Sequence, residues 1–368
     1  MMPAGLSVAI VGCGRIADAH AELIKGHPGA RLVAACDREL LMAEQLALRF
    51  GIPKAYSDFA EMLRVERPDV VHIATPPDSH FALGFEALSA GCHLFVEKPI
   101  GLDHGQAKAL IEAACAHSRK LTVGYSNQFD PAALEMRAMI AAGAIGTPVH
   151  VESILGYNLN GPFGAAIVRS PNHWVRGLPG QLMQNVIDHL INKIVEFVPD
   201  ENPRIHAVGY FNRKAHLHDE LRVMITGEDV SAYATFSSHI RPDTHILRVH
   251  GSKNSLTVDY TARSVILSSY PMMPSVLGRL TPAFSQASRQ WMAGARNLKR
   301  FLRSEFHFFQ GMRTLLDRFY DSIVSGSPPP VSYSEILRTS MIMDRIFAQV
   351  NQSPDLSSKT LSDCQSLD

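Results

Sequence analysis

The 368-residue chain carries 35 Lys+Arg against 35 Asp+Glu, so its formal net charge is zero and the overall basic excess of a dedicated nucleic-acid binder is absent. With 46% hydrophobic and 19% charged residues, it has the composition of a globular protein with a sizeable core rather than of a disordered chain. At roughly 100–200 residues per domain, its length predicts about two domains.

In chain order, the apolar runs Leu6–Val11, Arg31–Cys36, Val70–Ala74, His93–Val96 and Leu121–Gly124 predict buried strands. Between them, Ile16–Lys25, Leu40–Phe50, Ser57–Leu63, Ser79–Ala90 and Asp103–His117 predict helices. Continuous apolar strands alternating with amphipathic helices imply a parallel, doubly wound α/β sheet over residues 1–126. From Val149 the texture changes. Val149–Gly156, Ile205–Phe211, Leu221–Ile225, Ser231–Ser237, Ile246–Val249, Ser255–Val258 and Ser264–Leu267 are short β-prone runs, interrupted by one helix near Gly180–Phe197. They predict a C-terminal α+β domain with a mostly antiparallel open sheet over residues 127–332. Residues 283–325 turn helical, Ser327-Pro328-Pro329-Pro330 stops that helix, and Tyr333–Val350 is the last one. The 333–351 helix is expected to pack back on the first domain, leaving 352–368 as a frayed polar tail.

Gly12-Cys13-Gly14-Arg15-Ile16-Ala17 lies between the first strand and the first helix, as G-x-G-x-x-A. In such a turn Gly12 allows the tight bend and Gly14 lets the backbone approach a pyrophosphate. Ala17 lets helix and strand pack closely, and the helix start at Arg15 and Ile16 turns free N–H groups to the anion. Asp37 ends the second strand, where a carboxylate bonds the ribose hydroxyls of NAD and repels the 2′-phosphate of NADP. Arg38 beside it could pair with that phosphate, which keeps NADP as the weaker alternative.

Further on, Ala74-Thr75-Pro76-Pro77 is followed by His80, and Glu97-Lys98-Pro99 closes the run A-G-C-H-L-F-V-E-K-P. The joint spacing of these motifs with the glycine turn resembles the glucose–fructose oxidoreductase / inositol dehydrogenase / MocA family, over about residues 5–270 and again from about 311. The resemblance implies a Rossmann domain, then a sheet domain whose open face carries substrate and often an oligomer interface. It also implies a nicotinamide cofactor, a sugar, polyol or nucleotide-sugar substrate, and a homodimer or homotetramer. Thr75, Pro76, His80, Glu97 and Lys98 would line the cofactor, with Lys98 the proton donor or acceptor at a carbinol.

The family's second catalytic segment is a helix that opens with glycines and carries an Asp and, four residues later, a His. Its match here is Gly180–His189, with His189 on the histidine but Asn185 in place of the aspartate. Residues four apart share a helix face, so Asn185 and His189 should point to one site, with Asn192 one turn on. An amide can orient an imidazole, but it cannot stabilise imidazolium as a carboxylate does. Trp174 offers a face on which a sugar can stack and Arg176 an anion clamp, while Asn127 and Gln128 suit hydroxyl or carboxamide recognition.

Cys13, Cys36, Cys92, Cys115 and Cys364 form no C-x-x-C pair and read as small apolar residues of a reducing, cytoplasmic protein. No segment reads as a signal peptide or a membrane span. His216 and His218 lack further ligands at metal spacing, so no metal is expected. Between Tyr260 and Ser304 there is no Asp or Glu, while Arg279, Arg289, Arg296, Lys299, Arg300 and Arg303 are basic. Phe284, Ala287, Trp291, Ala295, Leu298, Leu302, Phe306 and Phe309 fall on one helical stripe. Two readings compete for this basic amphipathic helix near 283–310. Either the stripe packs on the sheet or a sister subunit, or it lies on an anionic membrane, as would suit a sugar on a lipid carrier.

The sequence therefore points to an NAD(H)-dependent oxidoreductase acting on a sugar or its derivative, with Lys98 and His189 handling the hydroxyl proton. Asn185 keeps open a redox-neutral hydrolase or epimerase that retains its cofactor. A dinucleotide-binding regulator without catalysis is the alternative from another class.

Overall fold

A computed structural model of the chain describes residues 5–212, 215–269, 276–303, 307 and 309–352. Phe306, Cys364 and the expected tail beyond 352 lie outside the described residues. Two compact units result, the first from Met1–Ser126 and Gly311–Met341, the second from Asn127–Gln310 and Ile342–Asp368.

In the first unit the predicted apolar runs become β1 (Leu6–Val11), β2 (Ala30–Cys36), β4 (Val70–Ile73), β5 (His93–Val96) and β6 (Leu121–Val123). A short strand absent from the sequence reading, β3 (Lys54–Tyr56), adds the edge. All pairings are parallel and the order is β3-β2-β1-β4-β5-β6, the doubly wound arrangement with a switch point between β1 and β4. Helices α1 (Arg15–Lys25), α2 (Leu40–Phe50), α3 (Phe59–Glu66), α4 (His80–Ser89) and α5 (His104–Ala116) alternate with these strands. The central strands β1 and β4 are almost wholly buried, which is why they read as unbroken apolar runs.

The second unit begins with α6 (Pro131–Ala141), capped by Asp130. It continues through β7 (Pro148–Gly156), α7 (Pro162–Arg169), α8 (Gln181–Val186), α9 (Asp188–Ile194), β8 (Arg204–Asn212), β9 (Leu217–Thr226) and β10 (Ser231–Ser237). β11 (Thr244–Gly251), β12 (Ser255–Asp259), β13 (Ser264–Ser268) and α10 (Val276–Leu302) follow. The sheet order is β13-β12-β11-β7-β10-β9-β8; only β7 and β10 run parallel, and the other pairs are antiparallel. Burial alternates along β8 and β9, so one face is covered and the other presents Val208, Tyr210, Met224 and Tyr233.

The chain then enters α11 (Gln310–Ser325) and α12 (Tyr333–Gln352). Residues 311–332, expected in the sheet domain, group with the first unit instead. The physical cause is specific: the Tyr320 hydroxyl meets His72 Nε2 at 2.8 Å, and Lys120 Nζ donates to the carbonyls of Ser322 and Ser327. The start of α12 stays with the first unit, where His104 Nδ1 meets Leu337 O and Ser340 Oγ, both at 3.1 Å. Its end belongs to the second unit, where the Gln349 amide bonds the backbone of Ile205 and Ala207. No helix among the described residues is long and apolar enough to cross a membrane.

Candidate active site

The turn between β1 and α1 is built for close approach. Gly12 has φ +86°, and a Cβ there would lie 2.6 Å from the Thr75 side chain, so no other residue fits without displacement. Gly14 is the N-cap of α1; a Cβ on it would meet nothing within 4 Å, and no side chain caps the helix. That leaves open space over uncapped N–H groups at the start of α1, as a pyrophosphate requires. Ala17 is fully buried under the turn. Asp37 Oδ2 accepts from Cys13 N at 2.8 Å and Oδ1 from Glu39 N at 3.0 Å, so the carboxylate that would meet a ribose also holds the glycine loop. Arg38 is exposed beside it. Burial pushes the Cys13 and Cys36 thiols up to about 12, so both remain protonated and inert.

Thr75 and Pro76 open the loop after β4, and Thr75 Oγ1 accepts from Ser79 Oγ at 2.7 Å. His80, expected to line the cofactor, is fully buried, with Nδ1 2.8 Å from Pro99 O and Nε2 2.8 Å from Thr75 O. Burial lowers its pKa although both carbonyls favour the charged form. Its ring thus clips the Thr75 loop to the Lys98-Pro99 segment, whose peptide bond is cis, and has no nitrogen left for a dinucleotide.

Glu97 also departs from its expected place. It is buried, its Oε1 lies 3.0 Å from His20 Nε2, and its Oε2 accepts from Lys98 N at 3.3 Å. His20 Nδ1 meets His72 Nδ1 at 2.9 Å, and His72 Nε2 meets the Tyr320 hydroxyl. One order of protons satisfies every contact: Tyr320 donates to His72, His72 to His20, and His20 to Glu97. Burial raises the Glu97 pKa, but the hydrogen bond and charge of His20 outweigh it, and the net shift is below 4.5. Burial holds His72 well below its usual range and Tyr320 well above. Sequence inspection missed this network because its members stand 52, 77 and 248 residues apart.

In the second unit, the single helix expected over 180–197 divides at Ile187, where ψ is −18° and Leu190 N bonds back to Ile187 O at 2.8 Å. Between Leu182 and Val195 every residue except His189 is buried. His189 is therefore the one side chain of this stretch open to a reactant, while Asn185 is 9% exposed. The Asn127 amide lies 3.1 Å from His189 Nδ1, so Asn127, proposed for hydroxyl recognition, anchors the imidazole. Gln128 is 4% exposed and donates to Asn192 O at 2.6 Å. Asn192 is fully buried and donates to Asp188 Oδ1 at 3.1 Å. Both residues brace the α9 turn.

Arg176 is likewise not an anion clamp. Nε donates to Ile167 O and Nη2 to Ala215 O, each at 2.9 Å, while longer bonds reach Val168 O and His216 O. Four carbonyls hold the guanidinium as a tie between chain segments. Trp174 remains 38% exposed, its ring stacked on His173 at 5.6 Å.

A cluster that sequence reasoning did not foresee lies next to His189. The His245 ring is centred 6.3 Å away. Lys193 Nζ is hydrogen-bonded to His245 Nε2 and sits 4.4 Å from the centre of the Tyr260 ring. Burial holds Lys193 and His245 well below their usual pKa ranges, which favours a neutral amine and a neutral ring. Among the described residues no group of three or more His, Cys, Asp or Glu is placed to hold a metal ion.

Comparison with known proteins adds to this geometry. Residues 6–125 match the model for an oxidoreductase family with an NAD-binding Rossmann fold, GFO/IDH/MocA, and residues 133–257 match the GFO/IDH/MocA C-terminal domain. D-glucoside 3-dehydrogenase of Escherichia coli is 32% identical over 147 residues, 40% of this chain and 42% of that protein. The NAD(+) scyllo-inositol 2-dehydrogenase of Bacillus subtilis is 36% identical over 143 residues, 39% of this chain and 42% of that protein. Each match thus spans about two-fifths of the relative's length. Among solved structures, the WlbA dehydrogenase of Bordetella pertussis, in complex with NADH and UDP-GlcNAcA, has a similar fold. Its TM-score is 0.75 at 17% identity, covering 95% of this chain and 97% of that one.

Proposed function

Because the chain belongs to the GFO/IDH/MocA oxidoreductase family, we propose that it is an NAD(H)-dependent oxidoreductase acting on a sugar, polyol or nucleotide-sugar. The observation that carries this reading is the Gly12–Ala17 turn, with open space over the uncapped start of α1 and Asp37 at the adjoining strand end. Bound NAD supplies a two-electron hydride acceptor. Gly12, Gly14 and the N–H groups of Arg15 and Ile16 hold the pyrophosphate, Asp37 takes the ribose, and Thr75 and Pro76 border the dinucleotide. Lys98 and His189 manage the proton of the reacting hydroxyl. Asn127 on Nδ1 sets the ring so that proton exchange at His189 runs through Nε2. The exposed face of the second sheet, with Tyr210, Met224 and Tyr233, is where a homo-oligomer would form.

The test is NADH formation from NAD with a panel of polyols, sugars and nucleotide-sugars, alongside fluorescence titration of NADH and NADPH. Turnover with preference for NADH is the expected result; failure to bind either cofactor overturns the reading. Asn185, buried and without a carboxylate, favours a second reading: redox-neutral hydrolysis or epimerisation with retained cofactor. Product formed without net NADH would identify it. Binding without any chemistry would leave the regulator.

A further inference from the structure

The outer face of α10 has the chemistry of a lipid-surface contact, and its orientation is the reverse of ordinary amphipathic packing. One side of the helix meets the second unit's own sheet, and that side is polar. Arg289 Nη2 donates to Ser269 Oγ at 2.9 Å and Asn297 Nδ2 to Ala262 O at 2.7 Å. Arg296 Nη2 pairs with Glu135 Oε1 at 3.3 Å, and Ala293 is 2% exposed. The opposite side carries the apolar stripe and faces out: Phe284 is 71% exposed, Trp291 76%, Leu298 59% and Leu302 74%. Phe301 at 66% and Met292 at 47% widen it. The stripe therefore does not pack on the unit's own sheet, which leaves a sister subunit or a membrane as its cover. Nonpolar side chains this large rarely stand in a row in water without a partner.

Charge selects the partner. From Tyr260 through Ser304 the chain has no acid. Arg263, Arg289 and Arg296 are engaged within the unit, which leaves Lys299 and Arg303 as exposed cations near the end of the helix. At about 100° per residue Lys299 flanks the stripe, about 80° from Trp291, and Arg303 stands further round, about 120° from it. An antiparallel two-fold contact with a second copy, its axis across the helix, would set this cationic flank against itself. An anionic bilayer accepts both features, apolar rings at the headgroup boundary and cations against the phosphates. We infer that the Phe284–Leu302 face of α10 binds the surface of an anionic membrane. The inference is independent of the proposed catalysis.

Co-sedimentation of the full chain tests it, with phosphatidylcholine vesicles with and without phosphatidylglycerol. Wild type is expected to pellet with phosphatidylglycerol vesicles at low salt and to be released as salt rises. Trp291→Glu and Leu298→Glu, both at exposed positions, should each reduce the bound fraction about tenfold. In Trp174→Phe, Trp291 is the one remaining tryptophan, and its emission should shift to the blue on the same vesicles. Wild type remaining in the supernatant at low salt overturns the inference, as does unchanged pelleting of Trp291→Glu. A dimer that Trp291→Glu converts to monomer, with no vesicle binding, assigns the face to a second copy instead.

Discussion

Each unit buries a run of titratable side chains, and the two runs differ in how their polar atoms are matched. In the first, Tyr320, His72, His20 and Glu97 form a chain in which every donor meets an acceptor. In the second, Lys193 and His245 meet one another, but the Tyr260 hydroxyl finds no partner among the described residues. An unmatched buried polar atom costs about 1–3 kcal/mol. A matched chain rigidifies, as suits a brace behind Lys98. A partly matched cluster beside His189 accepts that cost, as functional regions do and braces do not.

The comparison breaks most directly through opposite mutant phenotypes. His189→Ala should lower turnover by about 10²–10⁴ with NADH binding and stability retained, since in the proposed mechanism His189 supplies acid–base help. Lys98→Ala should do the same. Steady-state kinetics and cofactor titration measure both, and full activity in His189→Ala would remove it from the mechanism. Glu97→Gln, in contrast, should cost about 1.5–3 kcal/mol in chemical denaturation, because it removes the charged acceptor that ends a buried hydrogen-bonded chain.

What the sequence could reveal follows from how local each signal is. β1, β4 and β5 were legible because both faces are buried, and the glycine turn because its residues are contiguous. β3 is three residues at an edge, and α6 buries little beyond Ala132, Ala133 and Met136, so neither leaves a strong periodicity. The roles of His80, Glu97, Gln128 and Arg176 depend on partners distant in the chain or on backbone carbonyls, whereas the family resemblance and residue type suggested ligand contacts. The stripe on α10 was legible, but its outward direction was not, because a helical wheel shows a face without showing what the face meets.

The two clusters also differ in how acid should act on them. Burial lowers the pKa of His72 and of His245 well below 6.5 in the folded chain. The unfolded chain therefore takes up protons first as pH falls through 6.5, and stability drops, by up to about 1.4 kcal/mol per pH unit for each group. Glu97, depressed below 4.5, contributes stability that is full above 4.5 and is lost as pH falls through its folded value. Denaturation midpoints across pH should fall below 6.5 in wild type and less steeply in His72→Leu and in His245→Leu. A flat wild-type profile would show that the rings are hydrated and titrate normally.

Cofactor choice sharpens the first unit's side of the contrast, with a smaller effect. Asp37→Ala should narrow the preference for NADH over NADPH about tenfold, the ~1.4 kcal/mol expected for carboxylate–phosphate repulsion at a partly exposed site. Tighter NADPH binding in wild type would show that Arg38 governs the pocket.

The smallest effect belongs to Asn127, and it separates a positioning role from substrate recognition. Asn127 Nδ2 lies 3.1 Å from His189 Nδ1. Loss of that one contact in Asn127→Ala should lower kcat about fivefold, the ~1 kcal/mol of one hydrogen bond, and leave KM nearly unchanged. Asn127→Asp should retain activity and move the acid limb of the pH–rate profile to higher pH, because a carboxylate beside the ring stabilises its protonated form. A rise in KM with kcat and the pH profile unchanged would show that Asn127 touches substrate instead of setting the histidine.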